Sequence, residues 1–285
     1  MHALSRIVKG AIDVQRARHA GSASTVARRR PAAAGPQWAL TLFDSWALRR
    51  ARVDVHVHRR EQRLIAVLAL QGERTRDYVA GVLWPESSQH HATGNLRAAV
   101  WRIRHDAPGL LVNDRAQLRL TKPLDLDVDV FTRTALRVLG SGEDGRTVNR
   151  ATCRRILPVL LRGELLPGWY DDWVCYERAR LMQLRLQALE ILADLLVDAG
   201  QTALARVAAA AAVTIEPLHE PATRALVRAE LGDNDYSSAL RDYEAYRVLL
   251  QSELGVPPSD RLAGLVGPLL GRRFPDKSRR RPVAV

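Results

Sequence analysis

Apolar and polar residues alternate in the first patterned segments of the chain. Apolar side chains occupy every second position in 38–42 and again in 46–48, with an Asp-Ser pair between the two segments. A period of two is typical of strands, and Asp-Ser favours a turn. The segment 53–58 also alternates, with Val53, Val55 and Val57 on one side and acidic and histidine residues on the other. We expect two or three antiparallel strands here, with the three valines on a single face.

Three segments with helical spacing follow. Apolar residues recur every three or four positions in 60–72, 75–85 and 87–109, a spacing that predicts amphipathic helices. The expected N-caps are Thr75 and either Ser87 or Ser88, and the expected stops are Gly72, Pro85 and the pair Pro108-Gly109. Alternation returns in 110–112 and 117–120 around the turn residues Asn113-Asp114-Arg115, which predicts a hairpin. Strands, three helices and a terminal hairpin are the elements of a winged helix in their usual order.

From Val128 onward the pattern is almost wholly helical. A long helix is expected to end at Gly200, and two helix-turn-helix segments follow. They align at an offset of 36 residues, which places Ala203-Leu204 over Ala239-Leu240, a period typical of tetratricopeptide-like stacks. The predicted fold class is therefore an α+β N-terminal winged-helix domain followed by an all-α tetratricopeptide-like helical domain.

The third helix has two contrasting faces. Its apolar stripe consists of Leu96, Val100, Ile103 and Ala107, with Ala92 and Ala99 alongside. Its opposite face carries Arg97, Ala98, Trp101, Arg102 and His105, with His91 and Asn95 near the edge. A solvated polar face is the plain interpretation, but a tryptophan on such a face is unusual and favours a surface that contacts another molecule.

The net charge is unevenly distributed along the chain. The whole sequence carries +12, of which 1–37 contributes +6 and 271–285 contributes +5. The segment 38–124 carries +6 and the segment 125–270 carries −5. A basic module beside an acidic one fits a phosphate-binding unit joined to a protein-interaction unit, and it fits a solvated arginine surface equally well.

Two stretches of the sequence resemble a known family. The stretch "REQRLIAVLALQGERTRDYVAGVLWPESSQHHATGNLRAAVWRIR" is similar to the OmpR/PhoB-type winged helix of the Streptomyces antibiotic regulatory protein (SARP) family. The segments "LPGWYDDW" and "YEAYRVLLQSELGVPPS" are similar to that family's bacterial transcriptional activator domain (BTAD). The expected organisation is a disordered basic arm (1–37), a winged-helix DNA-binding domain (38–124), a helical-repeat activator domain (128–268) and a basic tail (269–285). The arm and the tail depart from the family pattern.

The resemblance implies an activator that binds double-stranded DNA with its third helix in the major groove. We assign Arg97 and Arg102 to the groove and Arg115, at the hairpin tip, to the phosphate backbone. Gly94 and Ala98 stand where a base-reading side chain is expected, so direct readout rests on few residues. The full set of predicted DNA-binding residues is Asn95, Arg97, Ala98, Trp101, Arg102, His105 and Arg115, with Arg59, Arg60, Arg74 and Arg76 as weaker backbone candidates.

The resemblance also implies partners. We expect a homodimer on promoter-proximal direct repeats that recruits RNA polymerase through its sigma or alpha subunit and activates secondary-metabolite genes. The alternative is a helical-repeat adaptor with little or no specific DNA binding, which the plain surface at Gly94 and Ala98 would favour.

The sequence lacks the motifs of common enzymes. It contains no G-x-x-x-x-G-K-[ST], no G-x-G-x-x-G after a strand and no G-x-S-x-G. His56 and His58 have no cysteine or carboxylate cluster near them in the sequence, and Cys153 and Cys175 are expected to be buried in a reducing compartment. We therefore expect no enzyme activity, no cofactor and no metal site.

Two further expectations concern location and core. No apolar run is long enough to span a membrane and the N-terminus lacks an apolar signal-peptide core, so we expect a cytoplasmic, nucleoid-associated protein with no membrane partner. In the activator domain, we expect Trp169, Tyr170 and Trp173 to be core residues that anchor one helix pair to the next rather than the lining of a ligand pocket.

Overall fold

The computed structural model describes residues 38–114, 116–143 and 150–270. The predicted basic arm, Arg115 and most of the predicted basic tail lie outside the described residues. The chain forms two compact units that interleave in sequence. The first, here called the winged-helix unit, comprises the described residues up to Arg133 together with Arg162–Leu184. The second, here called the helical unit, comprises Thr134–Leu161 and the described residues from Arg185 onward.

The elements follow the predicted order. The strands are β1 (Trp38–Thr41), β2 (Ala47–Arg50), β3 (Val53–Asp54), β4 (Arg74–Thr75), β5 (Leu111–Asn113), β6 (Gln117–Leu120) and β7 (Leu124–Leu126). The first four helices are α1 (Arg59–Gln71), α2 (Arg76–Leu83), α3 (Gln89–Asp106) and α4 (Asp127–Glu143). The remaining helices are α5 (Arg150–Leu160), α6 (Asp172–Asp198), α7 (Thr202–Ile215), α8 (Glu220–Gly232), α9 (Tyr236–Leu254) and α10 (Asp260–Leu270).

The N-terminal sheet has the strand order β3-β2-β1-β7. Strand β1 pairs antiparallel with β2, with Leu40 opposite Leu48, and parallel with β7, with Leu40 opposite Leu126. These three leucines are buried, so one face of the sheet belongs to the core. The antiparallel strands confirm the prediction, whereas β7 comes from a part of the sequence for which no strand was expected.

The prediction for the three valines of 53–58 was wrong. Strand β3 contains only Val53 and Asp54, and the Val53 side chain is 68% exposed, whereas Val57 is buried. Ala51 and Arg52 both have positive φ, which turns the chain sharply after β2. The strand then leaves the sheet after two paired residues on its way to α1, so the alternation does not place the valines on a common face.

The caps of the three helices of the winged-helix unit match the sequence signals. The Thr75 and Ser88 hydroxyls accept hydrogen bonds from the backbone N–H groups of Tyr78 and His91 and so begin α2 and α3. Gly72 ends α1 with a positive φ of 80°, a conformation that glycine adopts without strain. Helix α2 ends at Leu83, just before Pro85. The predicted hairpin forms from β5 and β6, and β4 adds a third strand to it.

A buried carboxylate fastens the start of α4 to the end of β1. Asp127 accepts hydrogen bonds from the backbone N–H groups of Leu42, at 3.0 and 3.1 Å, and Phe43, at 3.0 Å. The Arg162 guanidinium lies 3.4 Å from the same carboxylate. Burial raises the pKa of Asp127 above its ordinary value, against the opposing effect of these hydrogen bonds and of Arg162.

The segment 162–184 belongs to the winged-helix unit although it follows α5. The Arg63 guanidinium pairs with Asp171, and the Arg59 guanidinium carbon lies 3.8 Å from the centre of the Trp169 ring. Arg178 donates hydrogen bonds to three carbonyl oxygens of this segment, those of Leu165, Leu166 and Trp169. The segment is therefore held to α1 through charged and aromatic contacts.

The aromatic and cysteine predictions for this region were partly wrong. Trp169 and Trp173 are buried, at 2% and 8% exposure, as expected of core residues. Tyr170 is 83% exposed, because it lies in the turn that leads into α6 with its side chain directed outward. Cys153 is buried as predicted, whereas Cys175 is exposed on the outer side of the first turn of α6.

The helical unit contains the predicted repeat, but with a different register. The caps of α7 and α9 are Gln201 and Asp235, 34 residues apart, and the buried faces follow the same spacing, with Ala205 equivalent to Ala239 and Ala209 to Tyr243. The predicted offset of 36 was therefore wrong. The period of 34 is the length of a tetratricopeptide repeat. A core shared by α8, α9 and α10 consists of Val227, Ala239, Tyr243, Tyr246, Leu250, Leu262 and Val266.

Among the described helices, none combines the length and the apolar composition required to cross a membrane.

Candidate nucleic-acid interface

The inner face of α3 anchors the helix in the core. Leu96, Ala99 and Ile103 are fully buried, and Val100 is 5% exposed. Ala92 and Ala107 are buried at the two ends of the same stripe. The predicted apolar stripe is confirmed, and the burial fixes which residues of α3 point away from the protein.

The outer face of α3 carries the side chains that the sequence assigned to DNA. Five of them are exposed: Arg97, Ala98, Trp101, Arg102 and His105. Asn95 is partly buried at the edge of the face. Asp106 is the only acidic residue of α3 and lies at its last position. The structure thus brings the predicted α3 residues together on one side of one helix, with a surplus of positive charge.

An aromatic pair occupies the middle of this face. Trp101 is 67% exposed, and its ring stacks on that of His105 with 5.8 Å between centroids and an interplanar angle of 2°. The two residues are four positions apart, a spacing that places side chains above one another on a helix. The stack orders the indole while leaving most of its surface in solvent.

Arg102 contacts a buried carboxylate that the sequence analysis did not single out. Glu61 of α1 is fully buried, and its Oε1 lies 3.8 Å from Nη1 of Arg102, whose side chain is 51% exposed. Within the described part of the chain, neither carboxylate oxygen of Glu61 has a hydrogen-bond partner. The burial of Glu61 could have been predicted from helical spacing, because Glu61 precedes Leu64 by three positions and so lies on the apolar side of α1. The Arg102 guanidinium therefore lies beside Glu61 inside the protein, while about half of the Arg102 side chain remains exposed to solvent.

The weaker backbone candidates occupy different places. Arg60 is exposed at the start of α1, while Arg59 lies over Trp169. Arg76 donates a 2.6 Å hydrogen bond to the Asn113 side chain at the end of β5. Arg74 lies 5.6 Å from the centre of the Tyr78 ring. Arg59 and Arg60 are both exposed, whereas Arg74 and Arg76 are partly buried, and Arg115 falls outside the described residues.

Arg76 joins the hairpin to the helical part of the winged-helix unit. Its backbone N–H donates to the Ala116 carbonyl oxygen at 3.1 Å, in addition to the side-chain bond to Asn113. The hairpin is the wing of a winged helix. Asn113 ends β5 and Ala116 precedes β6, so this double attachment holds the tip end of the wing beside the start of α2.

The described residues contain no group of three or more histidine, cysteine, aspartate or glutamate side chains that could hold a metal ion.

Comparisons with known proteins agree with this architecture. A family model described as "Bacterial transcriptional activator domain" matches residues 126–270. The regulatory protein AfsR of Streptomyces coelicolor is 29% identical over 206 residues, which make up 70% of this chain and 20% of AfsR. This chain thus spans about a fifth of the length of that relative.

A solved structure shows the same fold. The structure of Mycobacterium tuberculosis EmbR in complex with a low-affinity phosphopeptide superposes with a TM-score of 0.62 at 19% identity, over 82% of this chain and 65% of that chain. The predicted fold class, a winged helix followed by a helical domain, is confirmed. Because the family model covers half of the sequence, the chain belongs to the bacterial transcriptional activator domain family, and the predicted resemblance to the SARP transcriptional activators is confirmed.

Proposed function

We propose that this chain is a sequence-specific DNA-binding transcriptional activator. In the proposed complex, the outer face of α3 lies in the major groove and the wing contacts the adjacent phosphates. The observation that supports this most directly is the outer face itself, where Arg97, Arg102 and Trp101 stand out from a helix whose other side is buried. A helix that served only the core would have no need of an exposed tryptophan between arginines.

The arginines have two roles in this proposal. Arg97 reads base edges, because a guanidinium can donate two parallel hydrogen bonds to guanine O6 and N7. Arg60 and Arg115 contact phosphate, which positions the protein without conveying sequence. Phosphate contacts release counterions, so the affinity falls with salt for every duplex, whereas the preference for one sequence depends on the groove contacts.

The activator domain supplies the second half of the function. We propose that the chain binds promoter-proximal direct repeats as a homodimer and recruits RNA polymerase through its sigma or alpha subunit, with secondary-metabolite genes as targets. Support comes from the family to which residues 126–270 belong and from the paired helices of α7–α10, since stacked helix pairs present extended surfaces for protein partners.

A selection experiment on the full chain tests DNA binding. Duplexes with a random central segment are bound, recovered and amplified over several rounds, and the affinity for the enriched duplex is compared with that for a scrambled duplex of equal length and composition. The basic segments 1–37 and 271–285 carry +6 and +5, but they attract both duplexes alike because phosphate attraction is independent of sequence. We expect at least a hundredfold preference for the enriched duplex at about 0.15 M salt.

A matched pair of variants assigns that preference to α3. We expect Arg97→Ala to reduce the preference about tenfold or more, consistent with the 1–3 kcal/mol of one bidentate base contact. Arg133→Ala removes an exposed arginine from α4, outside the proposed interface, and leaves the preference unchanged. If no duplex is enriched over scrambled DNA, the activator proposal fails and the helical-repeat adaptor takes its place.

Recruitment has a separate test. Transcription reactions with purified RNA polymerase, a template that carries the enriched duplex upstream of a weak promoter, and the full chain are expected to give more transcript than reactions without the chain. A template with the scrambled duplex provides the control. Unchanged transcript levels with a bound template would overturn recruitment while leaving DNA binding intact.

A further inference from the structure

Trp101 is an exposed aromatic side chain surrounded by cations. Its ring is 67% exposed and stacked on His105. On the helical wheel, Arg97 and Arg104 lie on one side of it and Arg102 on the other, and all three arginines are exposed. Any molecule that covers the indole must therefore accept positive charge on both sides, which DNA does through its two phosphate backbones.

The surroundings of Trp101 leave its ring accessible to a flat partner. Side chains on a helix tilt toward its N-terminus, so the indole lies over the preceding turn. That turn holds Ala98, whose methyl group is too short to cover the ring, and Arg97, and the indole is still 67% exposed. His105 supports the indole from the following turn at an interplanar angle of 2°. The result is an ordered apolar surface in the middle of a positively charged helix face.

We infer that Trp101 is a specificity-determining residue that contacts the C5 methyl group of thymine in the major groove. This inference rests on the proposed function, since it requires α3 to lie in that groove. Among the four bases, thymine alone presents a methyl group there, and apolar side chains recognise it by contact. The indole N–H can donate one hydrogen bond to a base edge. The exposed carbon surface of the indole requires an apolar group instead, and in the major groove the thymine methyl is that group. The positive charge on both sides of the indole is complementary to the negative charge of DNA around the groove.

The experiment replaces thymine by uracil, which removes the methyl group and changes no Watson–Crick hydrogen bond. The probe is the duplex enriched by the full chain, resynthesised with deoxyuridine at one thymine position at a time. Wild-type affinity is expected to fall about fourfold at each position where the methyl is in contact, the effect of burying one such group. At least one position in the enriched duplex is expected to show this loss, while the remaining positions bind as before.

Variants of the full chain separate the methyl contact from other roles of the tryptophan. With Trp101→Ala, the thymine and uracil duplexes are expected to bind equally well at the sensitive position. Trp101→Phe keeps an aromatic ring and is expected to retain part of the preference. Tyr170→Ala removes another highly exposed aromatic side chain, 83% exposed and distant in sequence from α3, and serves as the matched control with an unchanged preference for thymine.

The outcomes distinguish this inference from the proposed function. If a duplex is enriched but no uracil substitution weakens wild-type binding, Trp101 does not read thymine, and sequence-specific DNA binding still stands. If the uracil effect persists undiminished in Trp101→Ala, another residue makes the contact and the inference is overturned. If no duplex is enriched at all, the proposed function fails and the inference fails with it. Because Trp101 is mostly exposed, circular dichroism of the variants is expected to match that of wild type.

Discussion

At the scale of single residues, the pair formed by Arg102 and Glu61 is asymmetric. Arg102 is half exposed, so water can solvate its guanidinium when the partner is removed. Glu61 is fully buried and has no hydrogen bond to its carboxylate oxygens from the described residues. The loss of Arg102 therefore leaves a buried acceptor uncompensated, whereas the loss of Glu61 leaves an arginine that water already reaches.

This asymmetry gives the first prediction, which concerns stability rather than DNA. We expect Arg102→Ala to lower the free energy of unfolding of the winged-helix unit by about 1–3 kcal/mol, because the buried Glu61 carboxylate loses the guanidinium that offsets its charge. The double variant Glu61→Gln/Arg102→Ala is expected to recover most of that loss, since the neutral amide is easier to bury. All six tryptophans lie in the winged-helix unit, so tryptophan fluorescence in urea follows its unfolding. Equal stabilities for the single and double variants would contradict the prediction.

The same pair affects how DNA binding by Arg102 is measured. We expect Arg102→Ala to relax sequence preference, as its assignment to the groove requires, but a partly unfolded variant would weaken binding to every duplex. The double variant provides the appropriate background, because it lacks the arginine and retains the stability. A loss of affinity that is equal on the enriched and scrambled duplexes in this background would place Arg102 outside the groove.

Which residues the sequence could reveal depends on how local their contacts are. The stripe of Leu96, Val100 and Ile103 follows from helical spacing alone, and so does the outward position of Arg97 and Trp101. The Glu61–Arg102 pair joins two helices about 40 residues apart in sequence, and no local pattern reports which helices meet. Tyr170 was placed in the core by its aromatic neighbours, but a turn can direct one ring outward between two that are buried.

At the scale of elements, the connection between β1 and α4 depends on one side chain. Asp127 supplies acceptors for two backbone N–H groups at the point where β1 ends. Those donors have left the sheet ladder, and an unpaired N–H in this buried position is costly. The carboxylate thus holds the first strand, the parallel strand β7 and the first turn of α4 together.

We expect Asp127→Asn to lower the free energy of unfolding of the winged-helix unit by about 1–3 kcal/mol. The single amide oxygen can take the place of Oδ2, which accepts from both N–H groups, but the NH₂ group then stands where Oδ1 accepts from Leu42. A donor there faces a donor, and the ion pair with Arg162 is lost. Tryptophan fluorescence in urea again provides the measurement. Asp125→Asn, an exposed residue two positions earlier, is the control and is expected to change stability little. If Asp127→Asn and Asp125→Asn lower the free energy of unfolding by similar amounts, the negative charge near the start of α4 stabilises the unit, and the hydrogen bonds accepted by Asp127 do not account for the effect.

Elements were predictable where their signals are local. The caps at Thr75 and Ser88 and the stops at Gly72 and Gly200 all lie within one turn of the helix end that they define. Strand β7 pairs with β1 across more than 80 residues. Its Leu-Asp-Leu sequence does alternate, with Asp125 exposed and Leu126 buried, but three residues are too short a run to stand out beside the helical pattern that follows. The register of the repeat was misjudged because alanine-rich helices align almost equally well at several offsets, and only the buried positions select 34.

In the helical unit, two carboxyl groups meet where α8 packs against α9. Glu230 is 2% exposed, and burial together with the neighbouring Asp242, which is hydrogen-bonded to it, raises the pKa of Glu230 from 4.5 to about 7. The folded state therefore binds a proton more tightly than the unfolded chain does. The contribution of Glu230 to the free energy of unfolding is therefore fully present at low pH. It decreases as the pH rises from about 4.5 to about 7 and is lost above that range.

A prediction about the pH dependence of stability follows from this sign. Wild-type stability of the helical unit is expected to fall between pH 5 and pH 8, by up to about 3 kcal/mol from this group. Glu230→Gln keeps a neutral side chain at every pH and is expected to flatten that dependence and to raise the melting temperature at pH 8. Thermal unfolding followed by circular dichroism at both pH values provides the measurement. Glu253→Gln, an exposed residue at the end of α9, is the control, and identical pH profiles for Glu230→Gln and wild type would contradict the assignment.

At the scale of the whole molecule, the compact units do not follow the order of the chain. The segment Arg162–Leu184 lies in the same unit as the winged helix, while the family model begins at residue 126. The sequence pattern predicts a boundary between 124 and 128 because the period of the apolar residues changes there. Contacts such as Arg63 with Asp171 and Arg59 with Trp169 cross that boundary, and they depend on charge and aromatic pairing over more than 100 residues, which periodicity cannot report.

If the segment is integral to the winged-helix unit, removing its main buried ring will loosen the strands and helices of that unit. Trp169 is 2% exposed, lies against Trp173 with 6.3 Å between centroids, and contacts Arg59. We expect Trp169→Ala to lower the free energy of unfolding of this unit by about 3–5 kcal/mol and to speed hydrogen exchange in β1 and α1, while α8–α10 exchange as in wild type. Mass spectrometry of peptides from both units measures the exchange.

The neighbouring Tyr170 gives the control for this prediction. Its ring is 83% exposed, so Tyr170→Ala is expected to leave exchange unchanged in every element, although the two substitutions are adjacent and remove similar aromatic area. If Trp169→Ala speeds exchange only within 162–184, the segment is an appendage that packs on a self-sufficient winged helix. If exchange accelerates in β1 and α1 as well, a DNA-binding fragment of this protein must include the segment, and a fragment that ends at residue 124 will be less stable than the same residues in the full chain.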